Sequence, residues 1–256
     1  MQLGAEHREV SVSTPAPAYR ETVRSLARAQ KSAKGGQAYS VYVNRRLGRF
    51  AAAAAHLAAL TPNTVTVVSA MFSFAGVAVI ALVGGWGAAA AAPLLAFGYA
   101  LDAADGQLAR LRGGGSLAGE WLDHMIDSVK ITAVHLAVLV HVYRFTDLGR
   151  SWLLVPLGFT IVAVALFFAQ LLNEQLRRQR DVATRAANVG PVSPLLLFVK
   201  LPHDYGVLCW TFLLVGAPLA MMRVYTFLFA FNIAYLAMAL RKWFREMRAL
   251  DAAVRP

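Results

Sequence analysis

Acidic residues are scarce in this chain, 14 against 25 lysines and arginines in 256 residues, and cysteine is nearly absent. The single cysteine, Cys209, falls inside an apolar block, which excludes an intramolecular disulfide and any multi-cysteine zinc or iron–sulfur centre. It reads as a small buried hydrophobe. Charge of either sign is thin at 15%, whereas 58% of residues are hydrophobic and the mean hydropathy is +0.52. A water-soluble domain has an apolar share of roughly 45–50% even with glycine counted. A soluble enzyme, a disordered protein and a disulfide scaffold are therefore excluded. The first residues, MQLGAEHREVSVSTPAPAYRE, also lack the apolar stretch of a secretory signal, so the N-terminus is expected to be retained in the cytoplasm.

What the chain does have is apolar blocks of about 20 residues, the length a helix needs to cross roughly 30 Å of hydrocarbon. They run over 64–83, 88–111, 117–143, 151–176, 205–222 and 224–244, divided by glycine, proline or charge. The expected fold is all-α, a polytopic integral membrane protein of about six transmembrane helices. Residues 192–201 read as a possible interfacial helix. Residues 1–38 form a basic N-terminal segment, disordered to about residue 18 and then helical, with Arg20, Arg24, Arg28 and Lys31 at helical spacing. After Gly35-Gly36, residues 39–256 form the membrane domain, entered through a second amphipathic helix that runs along the membrane face to Pro62. Lipid binding by these helices and a merely solvated charged face are both open readings.

The excess of positive charge is explained by placement. Lysine and arginine concentrate on the cytoplasmic side of short loops, and with the N-terminus inside only Arg144, Arg150 and Arg223 fall on the outer side. The basic balance is a topology signal, and no nucleic-acid partner is expected. The sequence thus points to a multi-pass protein of the cytoplasmic (inner) membrane with both termini in the cytoplasm.

Against this background four acids stand out. Asp102, Asp105, Asp123 and Asp127 lie in or beside the second and third apolar blocks, where an ionised carboxylate costs several kcal/mol. The stretch LDAADGQLARLRGGGSLAGEWLDHMIDSVK reads as two antiparallel helices joined by a flexible RGGGS turn. Asp102 and Asp105 then lie one turn apart, and Gly119, Asp123 and Asp127 form a stripe at i, i+4 and i+8. Four carboxylates on one cavity require cations, and an oxygen-only ligand set suits two Mg²⁺ or Mn²⁺ ions, or Ca²⁺, over zinc or copper. Paired ions are the arrangement that stabilises attacking and departing oxygens in phosphoryl transfer. Arg110, at the cytoplasmic end, suits a phosphate or a carboxylate. Lys130, one turn beyond Asp127, reads as charge compensation.

The pattern DxxDGxxAR, eight residues, then GxxxDxxxD resembles the signature of the CDP-alcohol phosphotransferases, with Asp102, Asp105, Gly106, Ala109, Arg110, Gly119, Asp123 and Asp127 filling every fixed position. The segment LTPNTVTVVSAMF is similar to that family's entry into its first membrane helix. The resemblance implies transfer of a phosphoalcohol group from a CDP-linked donor, CDP-diacylglycerol by analogy, to a second alcohol, with release of CMP. It implies that Asp102, Asp105 and Asp123 hold two divalent ions. Asp127 would complete the site and act as general base. Gly106, Ala109 and Gly119 would make room for the nucleotide, with Arg110, Asp105, Asn63 and Thr66 as further donor contacts. For Asn63, helix capping is the competing reading. It also implies a homodimer.

The end of the fourth block, FFAQLLNEQLRRQR, places Gln170, Asn173, Glu174 and Arg177 along one helix face. Such a stripe suits an acceptor polyol, or simply a helix leaving the bilayer. Arg178, Arg180, Arg185 and Lys200 could add a pocket for a phosphorylated acceptor, although the inner-loop charge rule explains them equally well. The segment LPHDYG, where relatives using inositol phosphate carry arginines, argues against such an acceptor, and His203 there reads as a surface residue. Two other functions compete. An intramembrane prenyltransferase also uses aspartate motifs with Mg²⁺ but has no purpose for GxxAR. A cation channel or transporter would line a path with acids, yet here they occupy one end of two helices.

Overall fold

The computed structural model describes residues 19–28, 30, 36–180 and 198–252, which are helical with no strand among them. The helices are α1 (Tyr19–Arg28), α2 (Arg45–Leu57), α3 (Pro62–Leu82), α4 (Ala91–Leu111), α5 (Leu117–Phe145), α6 (Leu154–Gln179), α7 (Tyr205–Thr211) and α8 (Pro218–Ala252). Residues 1–18 and 192–197, for which disorder and part of an interfacial helix were expected, lie outside the described residues.

Local sequence sets the helix ends that matter for the site. Thr61, not Asn63, caps α3: its side chain accepts from the Thr64 N–H at 3.1 Å, and Pro62 occupies the first helical position, where a missing N–H costs nothing. Helix α4 stops where the Gly114 N–H turns back to the Ala109 carbonyl at 2.9 Å. Gly113 and Gly114 hold φ of +93° and +131°, which side-chain-bearing residues rarely adopt. Ser116 then caps α5 by accepting from the Gly119 N–H at 3.0 Å. The expected tight turn is present, and α4 and α5 leave it antiparallel.

Among the described residues, five segments are long and apolar enough to cross a bilayer: Pro62–Leu82, Gly85–Leu111, Leu117–Phe145, Arg150–Gln179 and Pro218–Ala252. The expected count of six needs correction at 205–222, which is not one long helix. Helix α7 passes through a 3₁₀ turn at Phe212–Leu214, and α8 begins at Pro218. Proline cannot continue a helix begun before it but starts one readily. The apolar helix Tyr205–Leu214 is therefore short, and His203 at its foot bonds Asn232 about 21 Å along α8. At its other end Gly216 packs against the Trp86 indole, beside the start of α4.

Contact is most extensive between α3 and α4. Ser69 donates to the Gly98 carbonyl at 2.8 Å, and a Cβ on Gly98 would meet the Ser73 hydroxyl and come within 3.0 Å of the Ser69 carbonyl. In a bilayer such small residues let backbones approach, because lipid gives apolar helices no hydrophobic reason to associate. The core runs through Leu95, Val134, Val138, Phe212, Met222 and Tyr225, all buried. Outward faces are apolar too: Leu154, Ile161 and Phe168 of α6 are 67%, 71% and 61% exposed, a stripe suited to lipid. At the carboxylate end, α1 and α2 pack on α4, with Leu26, Ala52 and Ala53 buried beside Ala104 and Leu108.

Gly98→Val is expected to destabilise the protein by about 1–3 kcal/mol through overpacking. Gly106→Ala, whose Cβ would meet nothing nearer than Arg110 Nη1 at 3.5 Å, is expected to melt like the parent. Thermal unfolding in detergent micelles checks both, and equal melting of the Gly98 variant would remove the close-approach argument.

Candidate active site

The turn at Gly113–Gly114 sets α5 beside α4, so acids spaced along each helix meet across their interface. One carboxylate oxygen from each of Asp102, Asp123 and Asp127 lies within 4.8 Å of the others. Asp105 stands apart from this trio. It is 7% exposed, and the Thr66 hydroxyl of α3 donates to its Oδ2 at 2.6 Å. Three of the four expected carboxylates thus converge, and the fourth is oriented from α3. The donor set is all oxygen, packed too closely for like charges to coexist without a cation, and it fits a hard divalent ion.

The structure supplies one compensating cation of its own. Lys130, 4% exposed, sits with Nζ 3.1 Å from Asp102 Oδ1 and 2.5 Å from Asp127 Oδ1. One ammonium therefore links a carboxylate on α4 to one on α5. Its spacing from Asp127 was visible in sequence, but the reach to Asp102 was not. The Tyr205 ring lies 5.6 Å from the same nitrogen.

Around the carboxylates, the predicted donor residues take distinct positions. Asn63 Oδ1 occupies the space over Gly119, where a Cβ would come within 2.8 Å, so that glycine admits the Asn63 side chain. A Cβ on Gly106 would be in ordinary contact with Arg110 Nη1 at 3.5 Å, the far end of a flexible side chain. Arg110 is partly buried, and its Nε is shielded from solvent with no hydrogen-bond partner. Ala109 is partly buried on the same turn. Gln107, within the signature but unremarked in sequence, donates to the Arg45 carbonyl at 3.0 Å and accepts from Gln30 at 2.6 Å. These bonds tie α4 to α2 and to the residues after α1. A buried glutamine amid apolar neighbours was the available signal.

The predicted acceptor stripe divides. Gln170 lies at the mouth of a cavity of about 220 Å³ between α5, α6, α7 and α8. Arg177 instead reaches Glu246 on α8 at 2.9 Å, and Glu174 lies 3.9 Å from Arg178. Asn173 is half-buried. His203 is not the expected surface residue: it bonds Asn232 at 2.6 Å, stacks on Tyr235 at 4.3 Å and lines the cavity. Asp204 beside it accepts from the backbone N–H groups of Ser40 and Gly206, at 3.0 and 3.1 Å.

A family model described as CDP-alcohol phosphatidyltransferase matches residues 59–244. No match is found among curated proteins. Solved structures with the same fold include Mycobacterium tuberculosis phosphatidylinositol phosphate synthase with CDP-DAG bound, at 22% identity and a TM-score of 0.52, covering 79% of this chain and 94% of that one. The same enzyme in complex with manganese and citrate aligns at 21% identity and a TM-score of 0.51, over 79% and 89% of the two chains. At these identities the likeness is one of fold.

Mn²⁺ titration followed by electron paramagnetic resonance is expected to show about a tenfold or greater loss of affinity in Asp123→Asn. Gln170→Leu, on another helix, should bind as the parent does. Equal affinity in both variants would set the carboxylate trio aside as the metal site.

Proposed function

Because the chain belongs to the CDP-alcohol phosphatidyltransferase family, we propose that it transfers a phosphatidyl group from a CDP-linked donor to the hydroxyl of a second alcohol and releases CMP. The observation that carries this reading is the meeting of Asp102, Asp123 and Asp127 across α4 and α5. Both helices come from the one stretch that fills the family's signature.

Asp102, Asp105, Asp123 and Asp127 are the residues that would hold two divalent cations, Mg²⁺ or Mn²⁺. Bound there, such ions would supply the positive charge that offsets the donor's pyrophosphate and the negative charge growing on departing CMP. The chain's own groups do the rest. An alcohol is a weak nucleophile at neutral pH, so a carboxylate within hydrogen-bond reach must take its proton as its oxygen attacks the β-phosphorus. Asp127 has that role. Its side chain is fixed by Lys130, and its helix face continues into the cavity through Ile131 and His135. The acceptor oxygen–phosphorus bond forms as the bond from that phosphorus to the CMP oxygen breaks. Arg110, with a buried nitrogen lacking a partner, suits a donor phosphate. Gly106 leaves space for the nucleotide, with Ala109 beside it, while Asn63, Thr66 and Gly119 shape the α3 side of that space.

In this reading the carboxylate end lies at the cytoplasmic face, which the basic residues that flank it support, including Arg45, Arg110, Arg112, Arg177 and Arg178. A diacylglycerol-bearing donor can then keep its tails in lipid while its diphosphate enters from the same surface.

Purified protein with CDP-diacylglycerol and Mg²⁺ or Mn²⁺ is expected to release CMP when an acceptor alcohol is supplied. Asp127→Asn should reduce turnover by about a hundredfold or more while leaving donor affinity within a few-fold. Normal turnover in that variant would remove the base assignment, and release of pyrophosphate in place of CMP would remove the reaction.

A further inference from the structure

The cavity between α5, α6, α7 and α8 begins where the proposed base ends. Ile131 is one turn beyond Asp127 on the same face of α5, and Tyr205, whose ring lies beneath the Lys130 ammonium, is also in its wall. From Asp127 to His135 the face runs about 12 Å along the helix. An alcohol lying along it can present one hydroxyl to Asp127 while its body occupies the cavity. Its floor is apolar, built from Val134, Phe159, Leu208 and Leu228, and His135 there is engaged by the Tyr225 hydroxyl at 2.5 Å. The uncharged polar groups of its lining are Gln37, Gln170, His203 and Asn232, of which Gln170 is exposed and Asn232 buried.

No lysine or arginine is among the described residues that line the cavity, and one carboxylate, Asp204, is. Three of the cations nearby are drawn to carboxylates. Lys130 is shared by Asp102 and Asp127, Arg177 pairs with Glu246 at 2.9 Å, and Arg178 pairs with Glu120 at 2.6 Å. A phosphate monoester carries about −1.5 to −2 charge at neutral pH. Moving it into a largely apolar cavity without a paired cation would be strongly unfavourable. Of the other candidates for an anion pocket, Arg180 lies 4.0 Å from Asp251, Lys200 stands outside the lining with its charge acting on His203, and Arg185 lies outside the described residues.

We propose that this cavity seats the acceptor and selects an uncharged alcohol that bears no phosphate group. The inference rests on the phosphatidyl-transfer reading and names the substrate class of that same site. A volume of about 220 Å³ corresponds to roughly seven waters at 30 Å³ each, so the seated part is compact. The exposed Gln170 amide can exchange hydrogen bonds with hydroxyls, while the floor accepts carbon.

The test uses the full-length protein with CDP-diacylglycerol, and acceptors in matched pairs: glycerol against glycerol 3-phosphate, and inositol against inositol phosphate, with 1,2-hexanediol as a neutral apolar probe. CMP release should favour the uncharged member of each pair at least tenfold in kcat/KM. Ala163→Phe, which fills the cavity from α6, should raise the KM of the preferred acceptor at least tenfold while the KM for donor stays within twofold. Gln170→Arg, at the exposed mouth, should raise use of the phosphorylated members relative to the uncharged ones by about tenfold. Preference of the parent protein for phosphorylated acceptors overturns the proposal while leaving phosphatidyl transfer standing. So does an unchanged acceptor KM in a folded Ala163→Phe variant. No CMP release with any acceptor, despite donor binding, overturns the transfer reading itself and this inference with it.

Discussion

Negative charge inside an apolar helix pair is the constraint from which the rest of this structure follows. Asp102, Asp123 and Asp127 are drawn together within 4.8 Å where water is scarce, and such a cluster persists only with positive charge in its midst. Lys130 provides part of it, spanning Asp102 and Asp127 and so linking α4 to α5 by charge as well as by packing. In the reaction proposed for this member of the CDP-alcohol phosphatidyltransferase family, the cluster holds the cations. The charge density that makes it costly for the fold is what suits it to hard cations and a diphosphate.

Holding the acids in register falls to devices outside them. Helices in a bilayer gain little from apolar contact alone, so small residues and buried polar bonds fix their approach. Gly98 lets α3 lie against α4, and Ser69 bonds across the contact. Thr66, one turn nearer the site, then reaches Asp105. Gly119 admits the Asn63 side chain, which brings the starts of α3 and α5 together. Gln107 extends the same ordering outward to the segments that precede α3. The signature helix is thus bonded on several sides by neutral groups, with Lys130 the charged partner of its Asp102.

The other half of the bundle is built differently. Helix α7 is short, its foot is tied to the segment before α2 by Asp204, and His203 turns inward to Asn232. The cavity lies between α7 and helices α5, α6 and α8, with an apolar floor and a polar lining in which Asp204 is the one carboxylate among the described residues. Arg177, which the sequence offered for an acceptor polyol, and Arg178 are paired with Glu246 and Glu120, which couples α6 to α8 and to α5.

Much of this was legible from residue order. Apolar block length gave a helical membrane protein, the glycine turn gave antiparallel α4 and α5, and the spacing of acids named Asp102, Asp105, Asp123 and Asp127. These features are local: a helix's period and a bilayer's thickness act on consecutive residues, so one dimension suffices to read them. The tertiary structure alone decided that Asp105 turns to Thr66 while the other three acids meet, and that Lys130 serves two carboxylates. It also decided that residues 205–222 break into a short helix and the start of a long one, and that Arg177 is paired while Gln170 borders a cavity. Each of these depends on distances between helices remote in the chain, which are set by how side chains interlock rather than by their order.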